Sequence, residues 1–589
     1  MFLSLPCLLM LMSTVLSAHS SPEVEVGGTT FVGRKIPFEQ EFFGGIPFAK
    51  PPVGTLRFQP PVFKDTYDED ILDASQSGLP CLQFNSTLDQ SSEDCLTLNI
   101  LRPANLSANA SLPVLFCNTI TVNGHGGDRE TAKENKDNTT TTHTHKRQSG
   151  TPIVYVSINY RLGPLGFPQG KEPKERKALN LALKDELAAL KWVHKHIGKF
   201  GGDNQKVTAG GVSAGAIMNA ILFLDPGIEK FVRGGSPLLP IRYLSPDPPQ
   251  PLLYAMLLPD NTTGTNLLVV YLPAQVTCAS LAGTNNTFDC LVDANVTDLL
   301  EGIKASRELA EEDFPWDPTI DGPGGVYPDY PSMLFQIQHF ARIPFITGTS
   351  LDEGTIFADI STNYTNDVVR DNLFKNLSTP FLQRSERFKL DQSIQEMLEL
   401  YPDDPSLGSP FGTGNKTFCL SPGFKRMSAI YNDIPFLSRR RFWQQTMAKM
   451  PSSGVKSYGY LWKQSTKQIT NKTAMFGGAI GLPEQQEKRS FSDDITVSHA
   501  TDTHYFFNDS LVDTRALELG TSLRDYFLSF VDSLSPNDEK GTQRPHWNHY
   551  SKDNQVIMQM AAQNLTEVPD TFRKDQVDFI NSLPDIFHH

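Results

Sequence analysis

The chain is short of long apolar runs, of positive charge and of cysteine. Beyond the first 18 residues, no stretch approaches the ~18 unbroken apolar residues that a membrane-spanning helix needs. No transmembrane span is therefore expected. Lys and Arg number 52 against 66 Asp and Glu, a formal net charge of −14. That balance argues against nucleic acid and anionic membrane surfaces as partners. The seven cysteines among 589 residues fall at no zinc-ligand spacing, and no glycine-rich nucleotide loop is present. No metal and no organic cofactor is implied. Internal repeats are absent, and so is any linker that would cut the chain into independent domains.

What is present points outside the cell. Met1–Ala18 is apolar and ends in Ser17 and Ala18, which predicts a signal peptide cut near Ala18. Asn-x-Ser/Thr sequons recur from Asn85 to Asn564, as suits a glycosylated extracellular protein. With Cys7 in the leader, six cysteines remain. Cys81 lies near Cys95, and Cys278 near Cys290. An oxidising compartment would pair them locally, each closing a loop of roughly 15 residues worth ~3 kcal/mol in the chain-entropy model. Cys117 and Cys419 are left over and are expected to stay reduced.

The chain is organised around Val207–Asp225, VTAGGVSAGAIMNAILFLD. A short β-prone approach meets glycines, then a serine at 213, then an uncharged apolar run. This is the layout of a nucleophile elbow: strand, sharp turn, serine at the apex, buried helix. Glycines on either side let strand and helix come close, and the helix offers its first free N–H groups to an anion. Upstream, LPVLFC (112–117) and PIVYVSI (152–158) read as buried strands, and residues 91–101 alternate into another. Leu183, Leu187, Leu190, Val193 and Ile197 recur at three- and four-residue steps, which predicts an amphipathic helix over 179–198. Strand and helix in alternation imply an α/β fold with a mostly parallel sheet. Another buried strand opens 343–356, and helices are expected near 366–376, 389–400, 436–450 and 515–532. Two stretches break the pattern. Asn118–Gly150 is rich in Thr, Asn, Lys and His, and Pro237–Pro273 is Pro- and Leu-rich without a period.

Several segments together resemble the type-B carboxylesterase/lipase family of α/β-hydrolases, the cholinesterase-like group that includes secreted fungal lipases. They are FFGGIPFAKPPVGTLRF (42–58), SEDCLTLNI (92–100), LPVLF (112–116), PIVYVSINYRLGPLGF (152–167), LNLALKDELAALKWVHKHIGKFGGD (179–203), GVSAG (211–215), IPFITGTSLDEGTIF (343–357) and the region of His499. The resemblance implies one domain over 19–589, a large mostly parallel sheet flanked by helices, with 118–150 and 237–273 as atypical insert-like segments. It implies a secreted serine hydrolase that cleaves carboxylic esters of small molecules or lipids through an acyl-enzyme. Ser213 matches the nucleophile, His499 the general base and Glu353 the acid that orients it. Asp352 and His504 are neighbouring alternatives. The Cys81–Cys95 and Cys278–Cys290 pairs match the family's local disulfides. The first encloses the loop that covers the site in relatives. It is short here, which favours an esterase with limited interfacial activation. Oligomeric state is not legible.

Three departures from the family stand out. The His-Gly-Gly-Gly run that donates oxyanion N–H groups is reduced to His125-Gly126-Gly127, displaced downstream. Gly126 and Gly127 are the candidate donors there, beside the N–H of Ala214. Val212 stands where the family has Glu, and Ala209 and Gly210 stand where bulkier residues are usual. After Arg233 the expected strand gives way to Gly234-Gly-Ser-Pro237, so a sheet strand is expected to be missing or rebuilt. These departures keep a catalytically impaired binding protein, or a defective gene product, as the alternative. If 118–150 and 237–273 come from misread coding sequence, the mature transcript lacks them; reads that carry codons 118–150 in frame would end that idea.

Overall fold

The computed structural model describes residues 21–119, 151–237, 287–309, 316–377, 384–450, 454–465, 497–507 and 513–587. The expected signal peptide, Gly126, Gly127, Cys278 and nearly all of the two atypical segments lie outside them.

Among the described residues, β1 (Glu23–Val26), β2 (Thr29–Val32) and β5 (Ile71–Asp73) form a small sheet. The large sheet has 11 strands in the order β14-β13-β12-β11-β10-β9-β7-β8-β6-β4-β3. Its centre is β7 (Leu112–Thr119), β8 (Val154–Ile158), β9 (Gly202–Val212), β10 (Gly234–Pro237), β11 (Phe345–Ser350), β12 (Ser457–Trp462) and β13 (Val556–Met560). Neighbours within that run are all parallel. Antiparallel strands complete both edges: β3 (Arg34–Ile36), β4 (Gln40–Pro47) and β6 (Thr97–Pro103) on one side, β14 (Thr566–Pro569) on the other.

The strand expected to be missing after Arg233 is present. β10 spans only Gly234–Pro237, yet it pairs with β9 from Gly234↔Thr208 to Pro237↔Gly211 and touches β11 at Gly235↔Phe345. Its glycines suit the crowding: a Cβ at Gly235 would stand 2.3 Å from the Phe223 ring. The patternless segment also begins later than expected. Asn118 and Thr119 belong to β7, opposite Gly211 and Val212.

Alternation along β7 sends Val114 and Phe116 to one face and Leu115 and Cys117 to the other. The first face packs on helices α1 (Leu181–His196) and α2 (Ala214–Leu222), through Leu183, Leu190, Trp192, Ile217 and Met218. The other side is covered by α5 (Thr514–Ser533), with Leu523, Phe527 and Phe530 against Val212, Ile346 and Tyr460. An apolar Val212 thus joins this cluster.

Buried ion pairs tie the layers together. Asp185 of α1 takes both arms of Arg161, at 2.9 and 2.6 Å. Helix α3 (Ser438–Lys449) buries three consecutive arginines, 439–441. Asp570, next to β14, accepts from Arg440 at 2.6 Å and from Arg441 at 3.0 Å. Burial alone would raise the Asp570 carboxyl, but the two guanidiniums outweigh it and hold the group far below the usual carboxylate range. Cys81 and Cys95 form a disulfide with Cα atoms 5.0 Å apart. Cys290 is disulfide-bonded, and Cys117 and Cys419 are thiols.

Asp570→Asn leaves two guanidiniums without their anion, so a loss of about 3–5 kcal/mol is expected in denaturant unfolding. Because the folded pKa is depressed, this contribution is complete above the unfolded value near 3.9 and fades below it. The variant should therefore show a flatter loss of stability on acidification than the parent.

Candidate active site

β9 ends at Val212 and α2 begins at Ala214, leaving Ser213 as the hinge residue with φ 54° and ψ −120°. A non-glycine residue at positive φ is strained and persists only where its surroundings fix it. Three contacts do so. Gly211 lies so close to α2 that a Cβ there would meet the Gly215 carbonyl carbon at 2.5 Å. Asn219, one turn into the helix, donates from Nδ2 to Gly210 O at 3.0 Å. β7 and β10 pair with β9 on its two sides.

His499 stands before α4 (Thr501–Phe507), within a short turn. Its Nε2 lies 2.9 Å from Ser213 Oγ and its Nδ1 lies 2.6 Å from Glu353 Oε2. The imidazole is held between aromatic walls, with Phe357 at 5.2 Å and Phe436 at 5.1 Å between ring centroids. Glu353 follows β11 and is wholly buried. Its Oε1 accepts from the Ser350 N–H at 2.5 Å, and its own N–H donates to Asn432 Oδ1 at 2.9 Å. Gly354, next to it, sits against the Ser428 carbonyl oxygen, 2.0 Å from where a Cβ would be. The turn after Glu353 therefore cannot carry a side chain at that position.

The two alternatives point elsewhere. Asp352 Oδ1 accepts from Ser409 Oγ at 2.7 Å and Phe411 N–H at 2.8 Å, and burial pushes its carboxyl up to about 6. His504 is buried in α4, where desolvation lowers it to about 4. Asp502, three residues after His499, accepts from the Tyr460 hydroxyl at 2.5 Å. Burial pushes Asp502 up to about 7; Tyr460 opposes the rise and Glu353 adds to it. Among the described residues a single carboxylate, Glu353, thus bonds the imidazole.

The N–H of Ala214 makes no hydrogen bond among the described residues, and it opens α2 beside Ser213 Oγ. Gly126 and Gly127 lie outside the described residues. Sequence reasoning missed Asn432, Phe357 and Phe436, which fix the acid and the imidazole, and Tyr460, which engages Asp502. Phe357 closes the 343–357 segment, where nothing marks it as a wall of the imidazole, and Asn432, Phe436 and Tyr460 sit in no local motif.

A mostly parallel sheet that carries a serine elbow after β9, an acid turn after β11 and a histidine turn after β12 is the α/β-hydrolase fold. Two solved structures share it. Aspergillus niger EstA is 22% identical with a TM-score of 0.74, covering 97% of this chain and 99% of that one. A PNB esterase is 21% identical with a TM-score of 0.67, covering 95% and 100%. Within that fold the particular family is set by sequence. The profile of the carboxylesterase family matches residues 20–580, and the chain belongs to that family. It is a carboxylic ester hydrolase. Lipase 1 of Geotrichum candidum is 27% identical over 96% of both chains. Secreted lipase 1 of Botryotinia fuckeliana is 29% identical over 93% of this chain and 90% of its own.

Gly211→Ala should force strand and helix apart. An overpacking cost of about 1–3 kcal/mol is expected as a lower thermal midpoint, with slower labelling of Ser213 by an organophosphonate.

Proposed function

We propose that this protein is a secreted serine hydrolase that cleaves carboxylic esters through an acyl-enzyme on Ser213. The observation that carries the reading is the unbroken contact line Ser213–His499–Glu353, at 2.9 and 2.6 Å. A serine hydroxyl is a weak nucleophile near neutral pH, so a base within hydrogen-bond reach must take its proton. His499 Nε2 accepts that proton as Ser213 Oγ attacks the ester carbonyl, and Glu353 stabilises the imidazolium and fixes its tautomer. The tetrahedral oxyanion receives the Ala214 N–H, and Gly126 and Gly127 are the candidates for further donors. Collapse breaks the ester C–O bond, and the alcohol leaves with the proton from His499. Water then gives a proton to His499, attacks the acyl carbonyl and releases the acid, restoring Ser213.

The substrates are esters of small molecules or lipids, in keeping with the names of the lipase relatives. The short 82–94 loop favours soluble esters over interfaces. Secretion is supported by the apolar Met1–Ala18 leader, the sequons and the Cys81–Cys95 disulfide. Among the described residues no helix is long and apolar enough to cross a membrane.

Hydrolysis of a short-chain p-nitrophenyl ester by the purified protein should fall at least about 10³-fold in Ser213→Ala. The rate should rise smoothly with substrate, without a step where micelles form. Equal background rates in both proteins would leave the impaired binding protein as the reading.

A further inference from the structure

On the face of the sheet covered by α1, a buried polar cluster lies behind the elbow, and the ester chemistry does not use it. Glu186 of α1 is wholly buried, and its Oε2 accepts from Asn118 Nδ2 at 2.7 Å. Asn118 is also wholly buried and stands on β7 opposite Gly211, two residues before Ser213. The same Nδ2 lies 3.8 Å from Met218 Sδ on the elbow helix α2. One amide therefore touches α1 and α2 while its backbone pairs with the strand that feeds the serine. Glu186 Oε1, Asn118 Oδ1 and the buried Tyr160 hydroxyl have no partner among the described residues.

We propose that Glu186, acting through Asn118, is a positioning residue for Ser213, fixing the end of β7 against the elbow. This rests on the reading of Ser213 as nucleophile. The strained backbone of Ser213 needs neighbours that over-determine it, and the paired strands are among those neighbours. The clip works with a neutral carboxylic acid. Burial pushes Glu186 up to about 8, opposed only by the Asn118 amide. Among the described residues no cation compensates it. Helix α2 and residues 207–212 of β9 carry no ionisable side chain. On α1 the adjacent Asp185 is already held by Arg161, and Tyr160 is raised by burial and then by Glu186. Loss of the proton leaves an uncompensated buried charge, which draws water into the layer and loosens the clip. The folded chain holds this proton more tightly than the unfolded one. The stability of the neutral form is therefore fullest below the ordinary value of 4.5 and declines as pH rises to about 8.

The test compares the wild type with E186Q, E186A and N118L. Turnover of a short-chain p-nitrophenyl ester is followed from about pH 6 to 10, with kcat and KM separated. Amide hydrogen exchange is followed over the same range in peptides spanning Val207–Ser213, after correction for base catalysis. In the wild type, kcat should fall through an alkaline limb centred near the Glu186 value of about 8, with exchange rising in step. KM should hold within about twofold. E186Q should lose the limb and the exchange step while keeping kcat within about threefold. N118L and E186A should lower kcat by about tenfold or more and raise exchange at all pH values. An E186Q protein that keeps both limb and step overturns the proposal, as does N118L with wild-type kcat and exchange. If E186A or N118L does not fold, E186Q decides alone. A wild type with no activity removable by Ser213→Ala refutes the hydrolase reading instead. The exchange measurement needs no turnover and still decides the positioning role.

Discussion

Strand β9 and helix α2 meet at van der Waals contact, and the site geometry depends on that approach. A side chain at Gly211 has no room beside the Gly215 carbonyl carbon, 2.5 Å from where its Cβ would stand. With the gap closed, the chain can turn only through the strained positive-φ conformation of Ser213. The hydroxyl is then pushed out at the strand end, within reach of the His499 turn. The helix start beside it exposes the Ala214 N–H to the same space. A looser turn would relieve the backbone and scatter those three groups.

Much of this was legible because the relevant signals are local. Small residues around Ser213, an apolar run behind it and the three- and four-residue steps of α1 all act within one turn or one strand. The partners of Ser213 are not local: His499 lies 286 residues away in sequence and Glu353 146 from His499. They came from a likeness of motifs rather than from spacing. β10 was missed because its Gly-Gly-Ser-Pro sequence opposes β propensity, and neighbours on both sides impose the strand. Asn118 was read as the start of a patternless segment because an amide interrupts the apolar alternation of β7. Its burial makes sense only with Glu186, 68 residues on.

Carboxylates near the imidazole show how one acid is singled out. Asp352, Glu353 and Asp502 are all buried. Asp352 is engaged by Ser409 and Phe411, and Asp502 by Tyr460. Burial raises both, so proton uptake limits the negative charge that accumulates around Glu353. Selecting the acid is thus a matter of which carboxyl lacks competing donors on the imidazole side, and sequence adjacency does not decide it.

The arginines of α3 bear on the order in which the molecule is made. Arg440 and Arg441 share the single carboxylate of Asp570, Arg441 also donates to Phe572 O, and Arg439 donates to Phe587 O. A ribosome exposes the helix well over a hundred residues before those acceptors. During that interval three guanidiniums destined for the interior lack these acceptors and stay hydrated. Residues 570–587 therefore close this flank, and a nascent chain halted before them would keep it open to solvent and to quality-control factors.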